Sequence, residues 1–295
     1  MILARLPVIC ITVFFFTVHA VSAEETQQAL EKSLESLLPN KARWALVAID
    51  LENGDEIAVL GNALQAKLVP ASLTKLLTTG AVLDYMERGA SIGKPTSVDG
   101  SVINYRKRSR RIRREGPDIR KPDQLFGVLH DMNVHSRNTV ARNLALLLGE
   151  WRFGPPRTRY KGARAVCDFL NTLELPGGEA RIADGSGLLR ENRVTARFMA
   201  RYLVEIAKKP WFGRFRETLP RPGLEGTVKK IGYTDQRFRV KTGHLNDVFA
   251  LAGYGFARNG REFAFAYIVN VPGGRAVDRG HSRGEVMRLL AGDAL

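Results

Sequence analysis

The chain is poor in cysteine, with only Cys10 and Cys167 among its 295 residues. Cys10 lies in an apolar N-terminal run that we expect to be removed, which would leave one thiol. A single thiol cannot form an internal disulfide and has no cysteine partner for a metal site. The fold is therefore predicted to depend on its hydrophobic core, with Cys167 as a buried, inert thiol in an apolar helical stretch.

A long hydrophobic run is also missing, because the apolar stretch Leu6–Val18 is short for a membrane span of about 20 residues. Arg5 precedes this stretch, and the small residues Val21-Ser22-Ala23 follow it. The pattern predicts a signal peptide of residues 1–23, cleaved after Ala23, and a periplasmic protein. The alternative is an uncleaved anchor. The rest of the chain, residues 24–295, has 272 residues (295 minus 23), which suffice for a single domain.

Acidic residues are few, since 30 Asp and Glu face 45 Lys and Arg, for a formal net charge of +15. The predicted export argues against a nucleic-acid partner and favours anionic envelope polymers or lipid head groups. Much of the charge lies in Arg106–Arg114, within a basic loop at about 104–121. Two interpretations stay open here: a flexible, solvated loop, or an electrostatic contact with an anionic wall polymer or membrane surface.

The chain has no internal repeat and no Pro/Ser/Gly-rich linker. Periodicity and turn residues predict helices at 26–38, 72–88, 123–133, 137–149, 162–173, 195–208 and 277–290. They predict strands at 45–49, 57–60, 238–241, 248–256 and 262–269. Strands at both chain ends and helices between them predict one α/β domain: an antiparallel sheet flanked by helices, with a mostly helical subdomain at about 90–210.

Ser72 and Lys75 are the first pair of candidate catalytic residues. They lie three residues apart at the predicted start of a helix that is apolar almost all round, so they share one face. Burial lowers the pKa of a lysine, which lets it act as a base for the serine hydroxyl. A chance SxxK sequence is common, but its place at the start of a buried helix disfavours that explanation.

Ser136 and Asn138 lie at the predicted junction of two helices. A serine hydroxyl there can relay a proton, and the Asn138 amide can bind a peptide carbonyl. The simpler alternative is that Ser136 caps the second helix.

Lys241-Thr242-Gly243 lies on a predicted strand. Lys241 and Thr242 can bind a peptide carboxylate, and Gly243 lets a substrate backbone come close. The N–H groups of His244 and Ser72 can form an oxyanion hole. The alternative is an ordinary edge strand kept soluble by its lysine.

The three clusters occur in the order SxxK, SxN and KTG, which is typical of penicillin-binding proteins and class A β-lactamases. Asp184–Leu188 (DGSGL) and Arg190–Thr195 (RENRVT) resemble the DGSGLSR-x-N-x-x-T block of the D-alanyl-D-alanine carboxypeptidase/endopeptidase family. These are the class C low-molecular-mass, peptidase S13-like penicillin-binding proteins. Leu219–Thr227 is similar to the LP…G…GT segment of the family, and Lys241–Leu245 with Leu251–Tyr254 to its KTG-x-L…LAGY block.

The resemblance implies a penicillin-binding transpeptidase/β-lactamase-like fold and a serine DD-peptidase that β-lactams inhibit. Its substrates would be the D-Ala-D-Ala or cross-link amides of peptidoglycan stem peptides, and it would need no metal or organic cofactor. Ser72 would be acylated with Lys75 as its base, and Ser136 and Lys241 would pass the proton to the leaving D-alanine. Substrate would be held by Asn138 and Thr242, beside Gly243 and His244.

Several departures from the family pattern qualify the resemblance. The two serines are 64 positions apart (136 minus 72), so the large domains usually inserted between them are missing. Arg137 stands where the family usually has Asp, His244 where Thr is common, and Leu189 where the block has its second Ser.

Two other functions stay open. A β-lactamase of class A would need an ExxLN motif, which does not occur between Ser136 and Lys241. A non-catalytic relative that binds cell-wall peptides would explain Arg137 and His244, but the chain keeps all the reactive residues.

Overall fold

The structure is a computed structural model that describes residues 23–88, 122–274 and 279–292. The predicted signal peptide, apart from Ala23, and the whole of the predicted basic loop at about 104–121 lie outside the described residues. Helices are α1 Ala23–Ser36, α2 Thr74–Glu87, α3 Pro122–Val134, α4 Asn138–Phe153, α5 Arg159–Leu170, α6 Ala196–Ala207, α7 Phe212–Glu217 and α8 Arg279–Ala291. Within these ranges, none is both long and apolar enough to span a membrane.

Strands from both ends of the chain form one five-stranded antiparallel sheet, as predicted. Its order is β2-β1-β7-β6-β5, so β5 is an edge strand. The strands are β1 Arg43–Asp50, β2 Glu56–Leu60, β5 Arg239–Leu245, β6 Val248–Phe256 and β7 Glu262–Asn270. A separate two-stranded ribbon, β3 Ala180–Arg181 with β4 Arg193–Val194, was not predicted, and neither was α7.

Both faces of the sheet are covered. On one face, Leu34 of α1 and Val286, Met287 and Leu290 of α8 pack against the aromatic side chains of β6 and β7. On the other face, helix α6 packs against β1, β6 and β7, and helices α2 to α5 belong to the same hydrophobic cluster. Because no side of β6 or β7 meets solvent, these strands are apolar almost throughout. The described helices of the predicted helical subdomain share this second core with the sheet.

Helix α2 is buried from Thr74 to Leu83, which confirms the prediction of a central helix. The predicted start of this helix at Ser72 was wrong by two residues. Ser72 lies in a short 3-10 turn, Ala71–Leu73, that precedes the α-helix. Ala71 has a left-handed φ of 49°, so the chain turns sharply just before Ser72.

Cys167 differs from its prediction. Its side chain on α5 is partly exposed, although burial still raises the pKa of the thiol. The helix that carries it begins at Arg159 and ends at Leu170, three residues earlier at each end than its sequence pattern indicates. Thr158 caps it by accepting a hydrogen bond from the Lys161 N–H.

The Asn270 side chain, at the end of β7, connects the segment before Ser72 to the sheet by hydrogen bonds. Asn270 Oδ1 accepts a hydrogen bond from the Val69 N–H (2.8 Å), and its Nδ2 donates one to the Val69 carbonyl (3.1 Å). This side-chain amide therefore pairs with Val69 as a neighbouring strand would. Since Val69 is buried, few other groups can replace Asn270 as the hydrogen-bond partner of its N–H and carbonyl.

We expect Asn270→Ala to lower the free energy of unfolding by about 1–3 kcal/mol, because it leaves the buried Val69 N–H and carbonyl unpaired. Urea denaturation monitored by circular dichroism measures this. Asn270→Asp keeps the acceptor for the Val69 N–H but sets a carboxylate oxygen against the Val69 carbonyl oxygen, so it should not restore the lost stability. Equal midpoints for wild type and Asn270→Ala would show that this attachment contributes nothing.

Candidate active site

The turn that carries Ser72 packs directly against β5. A Cβ atom placed on Gly243 would lie 2.7 Å from the Pro70 carbonyl oxygen and 3.4 Å from the Ala71 Cβ. The missing side chain at Gly243 therefore makes room for the protein's own backbone. This close packing brings the SxxK and KTG segments into contact. That Gly243 also lets a substrate backbone come close stays a prediction.

Lys75 lies at the centre of the site. Its Nζ is 2.8 Å from Ser72 Oγ, 2.8 Å from Asn138 Oδ1 and 2.6 Å from the Ser186 carbonyl oxygen. The first distance follows from the i, i+3 spacing on the sequence, whereas the other two join α2 to α4 and to the DGSGL block. The SxxK and SxN motifs thus meet at one amine.

Burial lowers the pKa of Lys75 from its ordinary value near 10.5 to about 7, and the negative charge of Asp184 opposes this shift. The cause is desolvation, because a fully buried ammonium loses its hydration. A substantial fraction of Lys75 is therefore neutral at neutral pH. A neutral amine has two N–H donors, which suit Asn138 Oδ1 and the Ser186 carbonyl, and one lone pair, which is left for the Ser72 hydroxyl.

The DGSGL block forms a tight turn that contacts Lys75. Asp184 Oδ1 accepts hydrogen bonds from the N–H groups of Ser186 (3.2 Å) and Gly187 (2.8 Å) and from Asn192 Nδ2 (2.8 Å). Gly187 has a φ of 82°, and a Cβ there would lie 1.8 Å from the Ala71 carbonyl oxygen. The turn therefore packs against the Ala71–Leu73 segment and holds the Ser186 carbonyl against the Lys75 amine.

Ser136 and Lys241 form the second pair of the site. Lys241 Nζ donates hydrogen bonds to Ser136 Oγ (3.0 Å) and to the Thr242 carbonyl (2.8 Å). Lys241 is fully buried, and burial, followed by the charges of Lys75 and Arg283, holds its pKa well below the ordinary value. The structure thus places Lys241 beside a hydroxyl, in a position for proton transfer.

Ser136 does not cap α4, so the capping alternative was wrong. The N-cap residue is Arg137, which makes no side-chain capping bond, and Ser136 has a left-handed φ of 53°. Such a conformation is unfavourable for a residue with a Cβ. Here it turns the Ser136 hydroxyl towards Lys241.

Arg137, the departure in the middle of the SxN motif, forms an ion pair with Asp131 on α3. Asp131 is buried and Arg137 is partly exposed. The charge of Arg137 is therefore paired with a carboxylate of the preceding helix, α3.

The remaining predicted residues lie along β5. Thr242 is buried, and its Oγ1 shares a hydrogen bond of 2.7 Å with Thr227 Oγ1. Thr227 belongs to the LP…G…GT segment, so this segment has a place at the site. His244 has an exposed side chain near the end of the edge strand.

Sequence reasoning did not assign a role to two groups at Lys75: the Ser186 carbonyl and the Asp184 carboxylate. The DGSGL block indicates a family and not a contact, and a backbone carbonyl has no sequence signature of its own. Across the described part of the chain, no three His, Cys, Asp or Glu side chains are grouped so that they could hold a metal ion.

Residues 121–288 match the sequence profile of the D-Ala-D-Ala carboxypeptidase 3 (S13) family. The chain belongs to this family. The S13 profile covers the SxN, DGSGL and KTG segments, and the contacts above connect these segments to Ser72 and Lys75.

Two curated relatives illustrate the similarity. The D-alanyl-D-alanine carboxypeptidase DacB of Haemophilus influenzae is 30% identical over 151 residues, which are 50% of this chain and 32% of the relative. A carboxypeptidase of Mycobacterium tuberculosis is 24% identical over 239 residues, which are 76% of this chain and 50% of the relative. The chain thus spans half or less of the length of these relatives.

Solved structures show the same fold. Penicillin-binding protein 4 of Haemophilus influenzae has a TM-score of 0.67 at 14% identity, covering 88% of this chain and 99% of that one. A class A β-lactamase of Bacteroides cellulosilyticus has a TM-score of 0.64 at 20% identity, covering 90% and 97%. This confirms the predicted penicillin-binding protein/β-lactamase-like fold of this S13 member.

We expect the side-chain amine of Lys75 to titrate near pH 7, protonated below and neutral above, because the folded chain buries it. Isotopic labelling of lysine at Cε and nuclear magnetic resonance would follow the titration, with Lys75→Arg identifying the signal. In the urea-unfolded chain, the same signal should titrate near the ordinary value. A folded-state titration near pH 10 would contradict the desolvation of this amine.

Proposed function

We propose that the protein is a serine DD-peptidase that cleaves D-Ala-D-Ala or cross-link amides of peptidoglycan stem peptides through an acyl-enzyme on Ser72. The observation that carries this proposal is the environment of Lys75. Its amine has two hydrogen-bond acceptors besides Ser72 and a pKa of about 7. A lysine in these surroundings is suited to take the proton of the serine hydroxyl at neutral pH.

Acylation would begin when the Lys75 lone pair accepts the Ser72 proton and Ser72 Oγ attacks the carbonyl of the scissile amide. The negative charge on the carbonyl oxygen would be stabilised by the backbone N–H groups of Ser72 and His244. The packing of Gly243 against Pro70 supports this arrangement, because it holds the two segments side by side.

The leaving amine needs a proton as its bond to the carbonyl carbon breaks. Ser136 would donate that proton, and Lys241, 3.0 Å from Ser136 Oγ, would replace it. Water would then attack the Ser72 ester and give a proton through Ser136 back to Lys241. Lys75 would return its proton to Ser72 Oγ as the ester bond breaks, which releases the shortened peptide and restores the hydroxyl. Asn138 and Thr242 would hold the substrate, beside the exposed His244.

The relatives support this substrate class and a sensitivity to β-lactams. The matched relatives are named carboxypeptidases, and one solved structure of penicillin-binding protein 4 contains a β-lactam. We propose a periplasmic location on the basis of the N-terminal pattern that predicts a signal peptide.

A β-lactamase function is less well supported, although class A enzymes share the fold. Such an enzyme needs a carboxylate free to activate the deacylating water. The carboxylate whose charge acts on Lys75 is Asp184, and its oxygens already accept four hydrogen bonds from Ser186, Gly187 and Asn192. Acylation by penicillin should therefore be long-lived.

Fluorescent penicillin added to intact cells is expected to label the wild-type protein and not Ser72→Ala, because Ser72 Oγ forms the ester. Labelling of intact cells also tests the location, since the reagent reaches the periplasm before the cytoplasm. The label should persist after washing. A folded wild-type protein that takes no label, or a Ser72→Ala variant that does, would overturn the acyl-enzyme.

Digestion of purified muropeptides, monomeric and cross-linked, with product masses measured, tests the peptidase activity. Lys75→Ala should lower the rate by roughly 10²–10⁴-fold, because the proton acceptor is lost. Lys67→Ala, at an exposed lysine shortly before Ser72, is the matched control and should act like wild type. Wild-type protein without activity on either substrate would favour the non-catalytic relative.

A further inference from the structure

Asn133 is a fully buried amide on the last turn of α3, three residues before Ser136. Its Nδ2 donates two hydrogen bonds, to Thr79 Oγ1 (3.0 Å) and to Thr218 Oγ1 (2.9 Å). Thr79 and Thr218 are themselves fully buried. The three side chains form a polar cluster inside the hydrophobic core.

The chemistry of this cluster requires a group with two donors. Thr79 donates its hydroxyl proton to the Lys75 carbonyl (2.8 Å), and Thr218 donates its own to the Phe215 carbonyl (2.7 Å). Both hydroxyls therefore present only lone pairs to position 133. An amide nitrogen with two N–H groups satisfies both, whereas a carboxylate would face them with further lone pairs.

Stability alone does not explain an asparagine at this position. Asn133 Oδ1 is buried and has no hydrogen-bond partner among the residues that the structure describes. A buried acceptor without a partner costs free energy, and an apolar side chain of similar size would avoid this cost. Rotating the amide by 180° would not help, because the hydroxyl protons already bond to backbone carbonyls.

The cluster joins the three segments that meet at the site. Thr79 lies one helical turn after Lys75 on α2. Asn133 precedes the strained turn at Ser136, and Thr218 precedes the segment that leads to Thr227, the partner of Thr242.

A second contact reinforces the junction. A Cβ on Gly226, which has a φ of 45°, would lie 1.9 Å from the Val134 carbonyl oxygen. The end of α3 is therefore in close backbone contact with the segment that carries Thr227.

We propose that Asn133 is a positioning residue that fixes helix α2, the Ser136 turn and the Thr218–Thr227 segment relative to one another. It touches no reacting atom. It acts by holding Lys75 against Asn138 and Ser136 against Lys241, and both proton transfers depend on these distances. The inference rests on the proposed acyl-transfer function.

The test compares Asn133→Leu, Asn133→Asp and wild type in the rate of Ser72 acylation by fluorescent penicillin and in melting temperature. We expect Asn133→Leu to be acylated at least about tenfold more slowly, because displacements of about 1 Å cost up to 10²-fold in rate. Its melting temperature should stay close to that of wild type. Asn133→Asp should lose both acylation rate and stability. If Asn133→Asp fails to fold, Asn133→Leu still tests the proposal.

The matched control is Tyr202→Phe. The Tyr202 hydroxyl on α6 donates a buried hydrogen bond of 2.8 Å to the Leu76 carbonyl of α2, and the phenylalanine variant keeps the ring that packs on Phe215. This variant should lose stability and keep its acylation rate within about twofold of wild type. An acylation rate of Asn133→Leu equal to that of wild type, or lowered only as much as in Tyr202→Phe, would overturn the proposal.

Crystal structures separate this inference from the proposed function. If wild type is not acylated at all, the acyl-transfer function fails, and the inference is judged on geometry alone. In Asn133→Leu, the Ser136 Oγ–Lys241 Nζ distance of 3.0 Å and the Lys75 Nζ–Asn138 Oδ1 distance of 2.8 Å should lengthen. Unchanged distances in the variant would overturn the positioning role in either case.

Discussion

The desolvation of Lys75 is the constraint on which the rest of the site depends. A charged ammonium in this core is costly, so burial lowers the pKa of the amine to about 7, and a substantial fraction of it is neutral near pH 7. Neutrality then decides what its neighbours must be. Two acceptors, Asn138 Oδ1 and the Ser186 carbonyl, match its two donors, and the remaining lone pair meets Ser72. Each of these partners comes from a different part of the chain, so the helices and turns that carry them must be held closely together.

Holding them together requires unfavourable backbone conformations. Ala71 and Ser136 both have left-handed φ values, and such residues cost of the order of 1–3 kcal/mol each. They stand immediately before Ser72 and within the SxN motif, where the chain must turn to aim a hydroxyl. The hydrophobic cores on both faces of the sheet offset this strain. Strain at the site and close packing around it are thus two parts of one arrangement.

The sequence predicts the reactive side chains better than their surroundings. Ser72 and Lys75 are neighbours through helical spacing alone, and the alternating and apolar strands can be located within one or two residues except for β5, which runs four residues further. The Ser186 carbonyl, 111 positions from Lys75, could not be predicted, because it is a backbone atom brought there by the tertiary fold. The same holds for the bond between Asn133 and Thr218, 85 positions apart. Ser136 shows the limit in another way, since a polar residue before a helix resembles a cap until its φ is known.

Two of the departures from the family pattern, Arg137 and His244, differ in what they can affect. Arg137 is paired with Asp131 on α3, so its charge is neutralised within that helical pair and does not bear on Lys75 or Lys241. His244 is exposed and lies two residues after Thr242 on the edge strand, where alternate side chains share a face. The proposed proton transfer involves Ser72, Lys75, Ser136 and Lys241, and both of these lysines are fully buried. We therefore propose that a histidine at position 244 affects which peptide end the strand accepts, and not the transfer of protons.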